Sequence, residues 1–103
     1  MPLTPQQIRA LRAEAHRLKL KPVVMVGQHG LSDNVMNEVE IALDHHELIK
    51  LRIPAVDKEE KDALIRGLTE PTGAELIQRI GHVVVLFRKN PKSARFLKQL
   101  KGA

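Results

Sequence analysis

The order of patterned segments predicts an α/β domain with the element order α-β-α-β-α-β-β, a two-layer fold in which a mixed four-stranded sheet packs on helices. Three observations lead to this prediction. Three segments carry apolar residues at helical spacing, two apolar strand-like segments alternate with them, and two more strands follow around a glycine turn. Two strand–helix–strand crossovers imply a largely parallel core, and the final hairpin makes the sheet mixed.

The first helix and the first strand precede residue 27. Thr4 and Gln7 match a capping box around Pro5, a residue that suits the first helical position. The apolar face at helical spacing comprises Ile8, Leu11, Ala15 and Leu18. The helix is expected to end before Pro22, because the residue preceding a proline avoids the helical region. The apolar run 23–26 then predicts a short strand that is buried on both faces.

A second helix, a second strand and a third helix follow. Ser32 is a typical N-cap for the second helix. The apolar face of that helix comprises Val35, Val39, Ala42 and Leu43. Residues 48–53 alternate in polarity, so that Leu48, Lys50 and Arg52 point away from a buried face. The segment Asp57-Lys58-Glu59-Glu60 is a cap signature with acids in the first turn, and it marks the start of the third helix. That helix ends at Pro71-Thr72-Gly73.

The last part of the chain predicts a hairpin and a basic end. Strands are expected at 76–80 and 83–88, around Gly81. Residues 93–100 could form a short helix or remain a loose basic tail. We therefore expect one domain over residues 1–90 and a tail over 91–103. Helices on one face of the sheet would leave the other face open, with Lys50 and Arg52 on it.

Charge and composition limit the classes of function that the chain can have. The chain of 103 residues has a net charge of +5, and residues 79–103 contain seven Lys/Arg and no acid. That cluster indicates either a polyanionic partner or a solubilising tail. Without cysteine there is no disulfide, thiolate nucleophile or cysteine-bound metal. Phe87 and Phe96 are the only aromatic residues, so a nucleic acid would be held by its backbone and shape. No apolar run approaches the roughly 20 residues of a membrane span, so we expect a cytoplasmic protein without membrane association.

The segment Gly27-Gln28-His29-Gly30 lies between a predicted strand and a capped helix. Glycines allow positive φ and bring backbone amides close to a ligand, and a helix N-terminus favours anions. Such a loop can hold a phosphate, although many glycine pairs are simple turns. Neither the phosphate-binding Gly-Lys-Ser/Thr pattern nor the dinucleotide fingerprint is present.

Several segments together resemble CRM-domain proteins, and among them the stand-alone bacterial YhbY-like proteins. The resembling segments are Pro22–Ser32, His45–Lys50, Thr72–Ala74, Ile80-Gly81 and Val85–Arg88. The resemblance implies a fold similar to the C-terminal domain of translation initiation factor 3. It also implies RNA binding through the GxxG loop and a nearby basic surface, and association with ribosomal RNA in precursors of the large ribosomal subunit.

We therefore expect an RNA-binding protein that serves ribosome biogenesis and is not an enzyme. The expected RNA-binding residues are Gly27, Gln28, His29, Gly30, Lys50, Arg52, Arg88, Arg9 and Arg12. In this interpretation Gln28 and His29 touch the sugar-phosphate backbone, His29 more strongly when protonated. No cofactor, metal or small-molecule substrate is required, and a monomer is the simplest expectation.

Two other functions remain open on the sequence. One is a protein-interaction module that docks on an acidic partner. The other is a small histidine-dependent enzyme that uses His45-His46-Glu47. Adjacent histidines on a helix point about 100° apart, and the zinc-helix spacing is missing, so structural or capping roles are favoured for these residues.

Overall fold

The computed structural model describes residues 2–54, 56–93 and 95–101. Its helices are α1 (Pro5–Arg17), α2 (Asp33–His46), α3 (Lys58–Thr69) and α4 (Leu97–Lys101). Its strands are β1 (Pro22–Met25), β2 (Leu48–Arg52), β3 (Glu75–Ile80) and β4 (Val83–Phe87). The predicted order is confirmed, with α4 added at the end. The predicted caps are confirmed too: Thr4 forms a capping box with Gln7, and Ser32 and Asp57 cap α2 and α3.

The four strands form one mixed sheet in the order β1-β2-β4-β3. The mixed four-stranded sheet is confirmed, but the expected largely parallel pairing is wrong. Strand β1 pairs with β2 in parallel, whereas β4 is antiparallel to both β2 and β3. Gly81, with φ at +55°, turns β4 back along β3. Four of the five residues of β4 are buried, which suits a central strand between two neighbours.

Helices α2 and α3 pack on the first face of the sheet and form the larger core. Along each strand, every second side chain points into this core, and the side chains between them point to the opposite face of the sheet. Its buried residues in the strands or directly after them are Val24, Val26, Ile49, Leu51, Ile53, Val84 and Leu86, and its buried helical residues are Val39, Ala42, Leu43, Ile65 and Leu68.

Helices α1 and α4 lie on the second face and form a separate, smaller core. Its buried members are Leu11, Ala15, Leu48, Ile77, Val85, Phe87 and Phe96. The expectation of helices on one face is therefore wrong for half of the sheet. Leu48, predicted to point outward with Lys50 and Arg52, is only 2% exposed because α1 covers it. In the part of the chain that the structure describes, the half of this face nearer the ends of β1 and β2 stays open, and Met25 and Ile80 are exposed there.

Strand β1 is buried on one face and not on both. Val24 and Val26 are buried, whereas the side chain exposures of Val23 and Met25 are 50% and 65%. The prediction of a two-sided buried strand is therefore wrong. Strand β1 is an edge strand, and its second face lies on the half of the sheet that α1 and α4 leave open.

Glu47 fixes the chain after β4 to the domain. It is 1% exposed, and its φ of +63° is unusual for a residue with a side chain. Its carboxylate accepts hydrogen bonds from the backbone N–H groups of Asn90 at 2.8 Å and Arg95 at 2.9 Å. Phe96 then packs edge-on against Phe87, with 6.0 Å between ring centroids. The described part of 91–101 thus adopts the short-helix alternative and contacts the domain.

Candidate nucleic-acid interface

The loop Gly27–Gly30 connects β1 to α2 and has a defined local geometry. The N–H of Gly30 donates to the carbonyl oxygen of Gly27 at 3.0 Å, which closes a turn. Gly30 has a φ of +74°, a conformation that glycine adopts without steric cost. The N–H of Ser32 donates to the Gly30 carbonyl at 3.1 Å, so the turn leads directly into the helix.

The outer side of this loop is open. Within the described residues, a Cβ atom added at Gly27 or Gly30 would meet no heavy atom within 4 Å. Gln28 and His29 between them are exposed. A ligand can therefore approach the backbone of the loop closely while two polar side chains reach it from the same turn.

The start of α2 offers both attraction and repulsion to an anion. The Ser32 hydroxyl accepts from the N–H of Val35 at 3.2 Å, and the N–H of Met36 donates to the Ser32 carbonyl at 2.9 Å. A helix N-terminus carries a partial positive charge. Asp33, however, places a carboxylate in the first turn. We conclude that the turn and its basic neighbours, more than the helix end, would attract a phosphate.

Two further chain segments meet the loop at this end of the sheet. The N–H of Val26 donates to the Arg52 carbonyl at 2.8 Å, and the N–H of Ile53 donates to the His82 carbonyl at 2.8 Å. These bonds hold the end of β2 and the β3–β4 turn beside the loop. The three segments line an open hollow of about 500 Å³, whose residues are Met25, Val26, Gly27, Arg52, Ile53, Pro54 and His82.

His82 and Lys61 join this end of the molecule although the sequence did not single them out. The Lys61 ammonium donates to the Gly81 carbonyl at 2.8 Å, which ties α3 to the β3–β4 turn. In the sequence, the turn is recognisable only as part of a hairpin. Its position beside the loop depends on the insertion of β4 beside β2, a long-range pairing with no local signal.

Lys50 and Arg52 lie on the open half of the second face, as expected. Arg52 is exposed and Lys50 is half-buried. They are two residues apart on one strand, so their Cα atoms are roughly 7 Å apart. Lys50 pairs across the sheet with Val85, and Arg52 pairs with Val83. Both cations therefore lie on one surface that continues from the loop.

The other predicted contacts lie farther away. Arg9 and Arg12 are exposed on α1, which covers the half of the second face remote from the loop. Arg88 follows β4 at the opposite end of the sheet, where its guanidinium pairs with Glu40 at 2.7 Å and with Asp44 at 2.8 Å. These ion pairs give Arg88 an architectural role between β4 and α2. RNA contact by Arg88 stays a prediction, and RNA would compete with the two carboxylates for the Arg88 guanidinium.

His45 and His46 lie exposed at the end of α2, where cationic residues favour the helix dipole. Their ring centroids are 6.3 Å apart and the rings are tilted by 51°. Within residues 2–54, 56–93 and 95–101, no group of three His, Asp or Glu side chains is placed to hold a metal ion. In the same ranges no helix has the length and apolar character needed to span a bilayer.

Comparisons with known proteins agree with this architecture. The family model of the CRS1 / YhbY (CRM) domain matches residues 3–88. An RNA-binding protein of Haemophilus influenzae is 41% identical over 91 residues, covering 88% of this chain and 90% of that protein. A probable RNA-binding protein of Pseudomonas aeruginosa is 35% identical over 100 residues, covering 97% and 94%. The solution structure of a hypothetical protein from Staphylococcus aureus superposes with a TM-score of 0.74 at 32% identity, covering 86% of this chain and 91% of that one.

Proposed function

The chain belongs to the CRS1 / YhbY (CRM) domain family, and on that premise we propose that it is an RNA-binding protein without catalytic activity. Its contact surface in this proposal is the end of the sheet where the Gly27–Gly30 loop, Arg52 and the β3–β4 turn meet. Relatives that cover nearly the whole chain are named as RNA-binding proteins, which supports the class of ligand.

The observation that carries the proposal is the open backbone of the Gly27–Gly30 loop beside the exposed cation of Arg52. A phosphate can approach the loop because neither glycine presents a side chain. Arg52 lines the same hollow as Gly27, and Lys61 is bound to the Gly81 carbonyl in the β3–β4 turn. Gln28 and His29 add exposed polar side chains. Such a surface recognises the nucleic-acid backbone, whereas base identity would have little influence.

We further propose that the RNA is structured ribosomal RNA in precursors of the large ribosomal subunit, and that the protein acts as a monomeric assembly factor in the cytoplasm. This finer assignment comes from the family resemblance. The shortage of aromatic side chains supports RNA binding that depends mainly on the RNA backbone and its shape, because stacking on aromatic rings can contribute little.

A pair of substitutions at Gly30 tests the role of the loop. Asp and Asn have similar volumes and are both among the residues that adopt a positive φ most readily, so Gly30→Asp and Gly30→Asn are matched in shape at a φ of +74°. They differ in charge. We expect Gly30→Asp to weaken binding to a structured ribosomal RNA fragment by at least about tenfold more than Gly30→Asn does, because the carboxylate repels phosphate at short range.

Thermal unfolding of both variants provides the control for folding. Equal loss of affinity in two equally stable variants would mean that the loop does not contact phosphate. Unchanged binding in both would move the contact to the basic C-terminal segment. The ribosomal assignment is tested by sucrose-gradient centrifugation of an extract of the protein's own cells. The native protein should cosediment with precursors of the large subunit, and its presence only at the top of the gradient would contradict the assignment.

A further inference from the structure

The open half of the second sheet face exposes large apolar side chains. Met25 is 65% exposed and Ile80 is 62% exposed, and Val23 at the edge is 50% exposed. Three of the five large hydrophobic residues found exposed in the described ranges thus lie on two strands of one sheet. A concentration of this kind indicates a surface that meets another molecule.

The strand register places Met25 and Ile80 at the two ends of one row. Met25 pairs with Arg52, Arg52 with Val83, and Val83 with Ile80. The row crosses all four strands, and at about 4.8 Å per strand it is roughly 14 Å long. A second row beside it contains Lys50, Val85 and Gln78. Ile80, Val83 and residues of this second row line a shallow hollow of about 200 Å³.

The charges on this surface are all of one sign. Lys50 and Arg52 stand among the apolar side chains, and neither row contains an acidic residue. The surface is also continuous with the loop, because Met25 and Arg52 line the same hollow as Gly27. An occupant that suits it is polyanionic, carries flat apolar groups and reaches the loop at the same time.

We propose that this half of the sheet face is a platform for unpaired RNA bases next to the structured RNA that the loop holds. In this arrangement the bases lie against Met25, Val83 and Ile80. The phosphates that link these bases bind to Lys50 and Arg52. The inference rests on the proposed RNA-binding function. Methionine suits such a role because its thioether makes favourable contacts with aromatic rings, and apolar side chains can replace aromatic ones beside an extruded base.

A second copy of the chain fits this surface less well. A two-fold interface sets the same patch of both copies face to face, so Lys50 and Arg52 would meet their own equivalents. Four like charges would then be desolvated together, which is unfavourable. RNA meets the same two cations with phosphates. A four-stranded sheet of this width accommodates about two or three bases in RRM domains.

Two RNAs that differ in one feature test the platform. Both contain the same hairpin, and one carries in addition three unpaired nucleotides at its 3′ end. We expect the native protein to bind the extended hairpin about tenfold more tightly, which corresponds to two base contacts of modest strength. The double variant Ile80→Thr/Val83→Thr, whose two residues line the platform but not the hollow beside the loop, should bind both RNAs with the affinity of the blunt hairpin.

Ile41→Thr is the matched control, since Ile41 is 50% exposed but lies on α2. It should retain the tenfold preference. Equal binding of both RNAs by the native protein would overturn the platform alone, and binding of neither would overturn the proposed function and the platform with it. A native dimer in sedimentation equilibrium that the double variant loses would assign the face to self-association instead. An equal loss for both RNAs in the double variant would also contradict the platform.

Discussion

Replacement of Glu47 should release the C-terminal segment and destabilise the whole domain. The Glu47 carboxylate is buried and accepts hydrogen bonds from the backbone N–H groups of Asn90 and Arg95. Its own carbonyl accepts from the N–H of Arg88 at 2.9 Å. Three positions after β4 thus depend on one residue, and Phe96 is placed in the smaller core just beyond them.

The magnitude follows from the two hydrogen bonds to the carboxylate. A bond to a charged acceptor contributes about 1.5–3 kcal/mol, and partly buried donors can recover some of it from water. We therefore expect Glu47→Ala to lower the free energy of unfolding by about 3 kcal/mol. For a domain of about 100 residues this lowers the Tm by roughly 12–24 °C. Glu47→Gln keeps one acceptor oxygen and should lose about half as much.

Urea denaturation at neutral pH measures these losses. Glu47→Gly distinguishes the loss of the carboxylate hydrogen bonds from the effect of backbone strain. Glycine adopts a φ of +63° without the strain of about 1 kcal/mol or more that a residue with a side chain carries there. Glu47→Gly should therefore lose about 1 kcal/mol less than Glu47→Ala. Glu38→Ala, at an exposed position on α2, is the control and should stay within about 0.5 kcal/mol of the native protein. A loss below about 1 kcal/mol for Glu47→Ala would refute the reasoning.

Three further predictions concern the loop and one ion pair. Gly27→Ala meets open space, so the free energy of unfolding should change little, whereas RNA affinity measured by fluorescence anisotropy should fall several-fold; unchanged affinity would show that RNA does not approach the loop closely. Asp33→Asn removes a carboxylate next to the loop, so RNA should bind about two- to fivefold more tightly at low salt, and weaker binding would contradict this. The hydrogen bond from Arg79 lowers the pKa of the Asp62 carboxyl, so this pair stabilises the fold above the ordinary aspartate pKa and the stabilisation is lost as the pH falls through the lowered value. Asp62→Asn should therefore reduce the loss of stability on acidification in thermal unfolding below about pH 4, and an unchanged acid profile would argue against this pair.

Local features of the fold could be predicted from the sequence because they depend on neighbouring residues. The capping box of Thr4 and Gln7 and the N-caps Ser32 and Asp57 lie where the pattern placed them. The turn at Gly30 also follows from local chemistry, since its positive φ favours glycine. These features position the loop, so the most specific part of the candidate site was visible in the sequence.

Long-range pairing could not be predicted in the same way. The alternation of residues 48–53 gave the correct face for Lys50 and Arg52, but it could not tell that α1 covers Leu48 on that same face. The exposure of Met25 has the same origin, because a run of four apolar residues looks alike in an edge strand and in a central strand. The position of His82 beside the loop could not be predicted, because it depends on the strand order β1-β2-β4-β3.

The role of Glu47 also lay outside the reach of sequence patterns. In the sequence, Glu47 follows two histidines, a pattern that suggested either a histidine-dependent enzyme or a capping role at a helix end. Its partners, however, are backbone groups of Asn90 and Arg95, more than 40 residues later in the chain. Nothing in the composition of a Glu-Leu pair predicts a buried carboxylate with a positive φ.

The central claim is that RNA meets the molecule at the end of the sheet where the Gly27–Gly30 loop, Arg52 and His82 lie together. NMR of the ¹⁵N-labelled native protein during titration with a structured ribosomal RNA fragment tests it most directly. We predict that the largest amide shifts fall on 27–30, Arg52 and the turn 81–82, with little change on the outer, acidic side of α2. Shifts confined to 89–101 or to α2 would contradict the claim.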